Sequence, residues 1–212
     1  MNTPNEQLEA IREMRTMMER SSRFISLSGL SGLAIGIIAL TGAGALYYHL
    51  ELMPFASGYA ERMHRISPSL NDTSFQFVFI DALVILLASL IAGTWMSVNR
   101  SKQLNLPTWD ATAKRLLINM MIPLVAGGLL CLVLIQQGQL VLLASITLIF
   151  YGMALVNASK YSLEEIRTLG ILEIILGLIA AWQPDQALLC WSVGFGILHI
   201  GYGLLIHNKH QK

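Results

Sequence analysis

Three ionisable side chains interrupt long apolar stretches of this sequence and are the first candidates for chemistry. Glu173 lies inside TLGILEIILGLIAAW, Asp81 inside FVFIDALVILLASLIAG and His199 inside GFGILHIGYGLLI. Carboxyl and imidazole groups take up and release protons, and both bind polar ligands. A charge inside an apolar helix is expensive, so each of these residues predicts a proton or ligand site.

Each of these three residues shares a helical face with small side chains. Small residues at spacings of three and four let a neighbouring helix approach closely, which is how helices pack in lipid. The spacing therefore predicts that the ionisable groups point into a bundle and away from lipid. The small residues are Gly170, Gly177 and Ala181 beside Glu173, Ser192, Gly196 and Gly203 beside His199, and Ala88 and Ala92 beside Asp81.

The predicted depth of these groups separates them into two sets. A tight turn, QPDQ, joins the helices of Glu173 and His199. Counted from this turn, the two residues differ by about three positions, or about 4.5 Å of rise. Asn119 enters another span from the same side, so we expect Glu173, His199 and Asn119 to form a polar cluster in the inner leaflet. Asp81 lies in the outer half of its span, away from this cluster.

Two interpretations of the cluster stay open. The first is structural: a protonated carboxyl hydrogen-bonded between helices, where such bonds contribute only about 0.6 kcal/mol on average. The second is functional, because a charge in mid-membrane costs at least about 2.5 kcal/mol and three such groups are costly to keep for stability alone. A separation of Glu173 and His199 beyond about 8 Å, the reach of one bridging water, would exclude the cluster.

The composition predicts that membrane-spanning helices carry these groups. The chain has 212 residues, of which 54% are hydrophobic and 13% charged, whereas soluble domains carry about 25% charged residues. A helix needs roughly 20 apolar residues to cross a bilayer. Six stretches predict an all-α, six-helix transmembrane bundle, although the fifth is short. The predicted spans are 24–50, 75–98, 116–135, 140–156, 169–182 and 187–206.

The chain divides into three regions on this pattern: residues 1–23, the spans over 24–207, and a short cytoplasmic tail at 208–212. Residues 5–23 are rich in charge, and their apolar side chains recur at helical spacing, which predicts an amphipathic cytoplasmic helix beside the membrane. Two interpretations stay open for this helix. It is either a solvated helix, or one that lies in the membrane interface or binds a protein partner.

The distribution of basic residues predicts the orientation of the spans. Of the 14 Lys and Arg residues, only Arg62 and Arg65 fall in connections predicted to face outwards, and the other twelve fall elsewhere. Basic residues collect on the cytoplasmic side, so both termini are expected in the cytoplasm of a bacterial inner membrane. An even number of spans also requires the two termini to share a side.

The first span carries a further stripe of small residues. Ser28, Gly32 and Gly36 each lie four positions from the next, and the two glycines form a GxxxG pair. Such a pair predicts close helix packing, within the bundle or between copies in an oligomer. The stripe therefore marks a packing face and carries no functional prediction.

No enzyme motif accompanies the ionisable residues. The sequence lacks HExxH, a phosphate-binding Walker loop and GxSxG. A catalytic zinc site needs three protein ligands, and His199 is the one histidine well inside a predicted span. We therefore predict no enzyme, no metal, no cofactor and no nucleic-acid partner. The two cysteines, Cys131 and Cys190, are interpreted as small core residues.

Three stretches of the sequence resemble a known family. They are ERSSRFISLSGLSGLAIGIIAL in the first span, LIFYGMALVNASKYSLEEIRTLGILEIILGLIAAW across the fourth and fifth, and GFGILHIGYGLLIH in the sixth. Together they resemble a family of small, uncharacterised bacterial membrane proteins over most of the chain. The span number and glycine usage are also similar to acid-resistance membrane proteins of the HdeD type. Neither resemblance implies an activity, a cofactor or a site residue.

The functional prediction is a non-enzymatic accessory or stress-response membrane protein whose N-terminal helix engages a partner. The alternative is a small transporter or proton-linked permease that uses Glu173, His199 and Asp81. An intramembrane enzyme is the third hypothesis, and a metal bound at His199 would favour it. A water-filled path to Glu173 would favour transport, whereas a dry, filled bundle with an exposed N-terminal helix would favour the accessory role.

Overall fold

The structure is a computed structural model that describes residues 29–55, 57–103 and 109–210. Every regular element in these ranges is helical. The predicted N-terminal helix at 5–23, the packing residue Ser28 and the last two residues of the tail lie outside the described residues. The partner-binding role of that helix therefore stays a prediction.

The helices follow the apolar stretches of the sequence and extend beyond most of them. The last three helical segments run on without a break, and we call them together the final helix. Short 3₁₀ turns precede and follow α5 and precede the final helix, at Leu140–Leu142, Ser159–Tyr161 and Pro184–Gln186. The helices are α1 Gly29–His49, α2 Tyr59–Arg65, α3 Thr73–Gln103, α4 Ala111–Gln136, α5 Leu143–Ala158, α6 Glu164–Trp182, and then α7 Ala187–Trp191, a π-helical segment Ser192–Leu198 and α8 His199–His210.

Polar caps explain why two helices begin before their apolar stretch. Asp110 precedes α4, and its side chain accepts a hydrogen bond of 2.7 Å from the backbone N–H of Ala113. Asp72 precedes α3 and accepts hydrogen bonds from the N–H groups of Ser74 and Phe75, at 2.8 and 3.2 Å. Aspartate at this position satisfies N–H groups that have no partner within the helix.

Five helical stretches among the described residues are long and apolar enough to cross a membrane. The predicted fifth span is not one of them. Its helix, α6, has 19 residues, but Glu164, Glu165, Arg167 and Glu173 leave it less apolar than the others. The fold is therefore an all-helical bundle with several candidate spans, and the count of six remains a prediction.

The helices pack one on the next in a series, and the two helices at its ends, α3 and α4, are largely exposed. α3 packs on α1, α1 packs on the final helix, the final helix packs on α6, α6 on α5, and α5 on α4. The apolar side chains of α3 and α4 are largely exposed, as expected of helices that face lipid. The centre of the bundle is formed by α1, α5, α6 and the final helix.

Glycines make the closest helix contacts at this centre. A Cβ atom added to Gly36 of α1 would lie 2.7 Å from the carbonyl oxygen of Gly196, and one added to Gly203 would lie 2.7 Å from that of Gly29. Gly32 also lies against the final helix. Between α5 and α6, a Cβ on Gly170 would lie 2.7 Å from the carbonyl oxygen of Gly152. These distances leave no room for a side chain, so the helices approach backbone to backbone.

Two apolar clusters fill the two ends of the bundle. The first, which we call the turn-end cluster, lies beside the turns Leu140–Leu142 and Pro184–Gln186 and includes Tyr59, Met63, Leu148 and Cys190. The second, the terminus-end cluster, contains Leu155, Leu163, Ile166, Leu169 and Ile206. Along α5, α6 and the final helix, Tyr151, Glu173 and His199 lie between the residues of the two clusters.

Candidate functional site

Glu173 of α6 and His199 of the final helix are in contact at the centre of the bundle. Their nearest polar atoms, Oε1 of Glu173 and Nδ1 of His199, are 3.4 Å apart. The Glu173 side chain is 0% exposed and that of His199 is 4% exposed. The separation lies well within the limit set for a polar cluster, so these two residues form one site.

His199 is fixed by hydrogen bonds at both ring nitrogens. Its Nδ1 lies 3.0 Å from the carbonyl oxygen of Gly194, and its Nε2 lies 2.9 Å from the hydroxyl of Tyr151 on α5. A carbonyl oxygen only accepts hydrogen bonds, so Nδ1 carries a hydrogen and donates it to Gly194. In the neutral imidazole, Nε2 then accepts from the Tyr151 hydroxyl. The three side chains form a chain from Tyr151 through His199 to Glu173.

The carboxyl of Glu173 has no hydrogen bond to any residue that the structure describes. Both of its oxygens are buried and unpartnered, because the Nδ1 hydrogen of His199 is directed to Gly194. Its neighbours on the final helix and α5 are Gly194 and Leu148. A buried polar group without a partner costs roughly 1–3 kcal/mol, which makes this carboxyl a source of instability rather than a stabilising link.

The π-helical segment Ser192–Leu198 shapes the site. It ends immediately before His199, and the bond from His199 reaches back five residues to Gly194. Gly194 has no side chain, and a Cβ there would collide with Oε2 of Glu173 and with Leu148. Insertions of this kind in membrane and soluble helices recur at functional sites. In this segment the backbone of Gly194, which has no side chain, lies against the carboxyl of Glu173.

Aromatic rings line the other side of His199. Phe195 lies between Trp191 and His199 along the final helix, with ring centroids 4.9 Å and 5.9 Å away. Tyr151 packs against Phe195 at 4.9 Å and against His199 at 5.5 Å. These contacts hold the imidazole ring in place and keep the surroundings of the site apolar.

The structure does not bring the other two predicted residues to this site. Asn119 donates a hydrogen bond of 2.8 Å to the carbonyl oxygen of Arg115 on its own helix, and α4 packs on α5 rather than on α6 or the final helix. Asp81 lies on α3 against α1, where its Oδ1 is 3.4 Å from the position of a Cβ added to Gly42. Its Oδ2 is buried with no hydrogen-bond partner among the described residues.

Tyr151 and Gly194 are not among the residues that the spacing predicts for the site. A tyrosine inside a membrane helix places its hydroxyl wherever the rotation of that helix directs it, and sequence alone does not give this rotation. The run SVGFG is rich in glycine, but no period in the sequence distinguishes a π turn from an α turn. Two groups that can bind a cation, Glu173 and His199, are present, and no set of three such ligands occurs among the described residues.

Comparison with known proteins gives no match: no protein-family model matches the sequence, and no curated protein or solved structure is significantly similar to it. The class of the protein therefore rests on its fold and its site. Several long apolar helices are those of a membrane-embedded protein, and the central feature of the bundle is a buried Tyr–His–Glu chain.

Proposed function

We propose that this protein is a small proton-linked permease, in which Glu173 takes up and releases the coupling proton. The observation that carries this proposal is the contact of Glu173 and His199, 3.4 Å apart and both buried, combined with a carboxyl that has no hydrogen bond among the described residues. The proposed setting is a six-span fold in a bacterial inner membrane, with both termini in the cytoplasm.

The hydrogen-bond pattern favours a functional role over a structural one. A residue that joins helices for stability would have its polar atoms satisfied, as His199 has through Gly194 and Tyr151. Glu173 lacks such bonds, and its burial in an apolar bundle is costly. Functional sites are where proteins keep such costly arrangements.

The charge of the pair explains why proton release would be linked to transport. When the pair holds one dissociable proton, either on the carboxyl of Glu173 or as a second ring proton on His199, its net charge is zero. Loss of that proton leaves a negative charge in a buried site, which is strongly unfavourable unless another charge or water compensates it. Proton release is therefore tied to the arrival of a second species or to the opening of the site.

The packing of the connections supports the proposed topology. The start of α2 contacts the turn at Pro184–Gln186, since the N–H groups of Gly58 and Ala60 both donate to Oδ1 of Asp185 at 3.1 Å. At the other end of the bundle, Nζ of Lys209 lies 2.5 Å from Glu165. The connections predicted to face outwards thus meet at one end, and the C-terminal region meets the start of α6 at the other.

Apolar clusters fill both ends of the described bundle, which is one of the two features expected for the accessory role. The other feature, an exposed helix at residues 5–23, lies outside the described residues, so the accessory role stays a prediction. An intramembrane enzyme has the least support. The one polar chain at the centre of the bundle, as far as the structure describes it, contains no nucleophile paired with a base except the hydroxyl of Tyr151.

Proton coupling can be tested in liposomes that contain the purified protein and a pH-sensitive dye. A pH gradient is imposed, acid inside for Na⁺, K⁺ or tetramethylammonium and acid outside for succinate, and each probe is added outside in a separate run. The proposal predicts that at least one of these probes dissipates the gradient with the wild type and that Glu173→Gln abolishes this effect. Gly201→Ala is the matched control, because a Cβ at Gly201 meets open space. Equal rates for wild type and Glu173→Gln, or no response to any probe, would overturn the proposal.

A further inference from the structure

The short helix α2, Tyr59–Arg65, covers the turn end of the bundle. It packs on the turns Leu140–Leu142 and Pro184–Gln186, and the described residues that flank it, such as Gly58 and Ser67, are not helical. We infer that α2 is a gate: its displacement opens a path from this end of the bundle to Glu173. The inference rests on the proposed permease function, because a gate is needed only if a solute or proton must reach the buried pair.

Two apolar side chains of α2 close the end of the bundle. Tyr59 is 6% exposed and Met63 is 2% exposed, and both belong to the turn-end cluster. Ile66, immediately after the helix, is 8% exposed and belongs to the same cluster. The burial of Tyr59 raises the pKa of its phenol, so the side chain stays neutral. The helix therefore acts as an apolar plug rather than as a solvated surface helix.

The cluster beneath α2 leads to the polar site. Cys190 and Leu148 belong to it, and Leu148 lies against Gly194, which in turn lies against the carboxyl of Glu173. Cys190 precedes Gly194 by about one helical turn, or about 6 Å of rise. Displacement of α2 would expose the cluster first, and Leu148 would then be the remaining barrier to Glu173.

One carboxylate holds the start of this helix to the bundle. Oδ1 of Asp185 accepts hydrogen bonds of 3.1 Å from the backbone N–H groups of both Gly58 and Ala60. Gly58 has φ of 129°, a conformation that favours glycine and lets the chain turn sharply into the helix. The ion pair of Arg62 with Glu51, at 3.1 Å, is exposed and contributes little. Asp185 therefore holds α2 in its closed position, and Gly58 is the residue at which the chain can bend.

The opposite end of the bundle is closed in a different way. The residues of the terminus-end cluster belong to the long helices or to their immediate ends, as with Leu155, Leu169 and Ile206. Opening that end requires whole helices to separate, whereas at the turn end part of the closure is a seven-residue helix, beneath which residues of the long helices such as Leu148 complete the cluster. The two ends thus have separate closures, as alternating access to a central site requires.

The reactivity of Cys190 tests the gate directly, since this residue is 7% exposed and belongs to the turn-end cluster together with Tyr59 and Met63 of α2. The full chain with Cys131→Ser is placed in lipid nanodiscs, where both faces are accessible, and is treated with a membrane-impermeant maleimide. The gate predicts slow labelling of Cys190. It predicts labelling faster by at least about tenfold in Asp185→Ala, because a hydrogen bond to a charged group is worth that much or more. Asp185→Asn, which keeps an acceptor oxygen, should restore slow labelling, and Arg62→Ala is the matched control that should not change it.

A second variant measures whether closure of α2 controls transport. Ala60→Cys and Asp185→Cys, combined with Cys131→Ser and Cys190→Ser, are joined by a short thiol cross-linker and assayed in the liposomes described above. The gate predicts loss of the probe-driven proton flux on cross-linking and its return when a cleavable linker is cut. Flux that continues in the cross-linked protein, or labelling of Cys190 that Asp185→Ala leaves unchanged, overturns the gate while leaving the permease intact. Faster labelling of Cys190 in Asp185→Ala, together with a wild type that moves no probe in liposomes, would overturn the permease and leave the movement of α2.

Discussion

Nδ1 of His199 lies 3.4 Å from Oε1 of Glu173, yet its hydrogen is directed to the carbonyl oxygen of Gly194, 3.0 Å away. The two ionisable groups are therefore neighbours with no hydrogen bond between them. A small rotation of the imidazole would direct the Nδ1 hydrogen of His199 to the carboxylate of Glu173 instead of to Gly194. We expect the pair to have this second arrangement as well, because a proton-exchanging site requires two arrangements that differ in hydrogen bonding.

The unpartnered carboxyl predicts opposite effects of two substitutions on stability. Glu173→Met removes a buried polar group that has no hydrogen bond and keeps an unbranched side chain, so it should stabilise the protein by roughly 1–3 kcal/mol. His199→Gln breaks the bonds to Gly194 and Tyr151 and should destabilise it by a similar amount. Thermal unfolding of both variants in detergent checks the signs. A structural role for Glu173 would instead lower the melting temperature in both.

Gly194 should be intolerant of a side chain. The Cβ of Gly194→Ala would collide with Oε2 of Glu173 and lie 2.6 Å from Cδ2 of Leu148. Overpacking of this kind costs about 1–3 kcal/mol, and it should also reduce proton coupling, because the carboxyl is displaced. The matched control is Gly201→Ala on the same helix, which has open space around it. Equal melting temperatures for the two alanine variants would show that the carboxyl does not lie against Gly194.

The backbone contact between α5 and α6 gives a prediction independent of the polar site. A Cβ at Gly152 would lie 2.5 Å from the carbonyl oxygen of Gly170 and 2.9 Å from the backbone nitrogen of Ile174. Neither atom can move without shifting a helix, so Gly152→Ala should cost about 1–3 kcal/mol. Gly128→Ala, on the lipid-facing helix α4, has nothing within 4 Å and should be neutral. Thermal unfolding in detergent, measured on the pair, distinguishes the two cases.

The connection after α2 should weaken in acid. Asp72 accepts a hydrogen bond of 2.9 Å from the N–H of Ser67, and this bond, followed by those from Phe75 and Ser74, holds the pKa of Asp72 below its usual value. A lowered pKa in the folded state stabilises the protein above the unfolded-state value of about 3.9. That contribution is lost as the pH falls through the lowered pKa.

Asp72→Asn tests this pH dependence because it removes the titrating group and keeps an acceptor oxygen. Melting temperatures are measured from neutral pH down to the acid range for wild type and variant. The stability of the variant should fall less steeply over the acid range than that of the wild type. Parallel curves for the two proteins would show that Asp72 does not contribute to the acid sensitivity.

Much of the fold is encoded in features that sequence displays directly. The length and polarity of apolar stretches predict helices such as α3, which covers the predicted span 75–98 and extends to Thr73 and Gln103. The extensions come from polar residues such as Asp72 and Asp110, which cap helices outside the apolar stretch. The predicted fifth span shows the limit of this reasoning, because α6 owes its position to packing on α5 and the final helix more than to hydropathy.

The full set of residues in the candidate site could not be predicted from residue spacing along the sequence. Depth counted from a turn is one coordinate, and it placed Glu173 and His199 at similar levels. The position and rotation of each helix are not given by this depth. Asn119 lies on α4, which packs on α5, and it bonds to Arg115 on its own helix. The rotation of α5 brings in Tyr151, whose hydroxyl lies 2.9 Å from His199. The π-helical turn adds a local change of register that no spacing of small residues predicts.

The central claim is that Glu173 exchanges its proton, and infrared spectroscopy of the reconstituted protein measures this most directly. The carbonyl stretch of a protonated carboxyl is separate from the amide bands, and the contribution of Glu173 is identified by its absence in Glu173→Gln. The account predicts a band that shifts after transfer to D₂O and changes in intensity when the probe that drives proton flux is added. A Glu173 band that neither exchanges with D₂O nor responds to any probe would contradict the account and show that the carboxyl is a fixed part of the bundle.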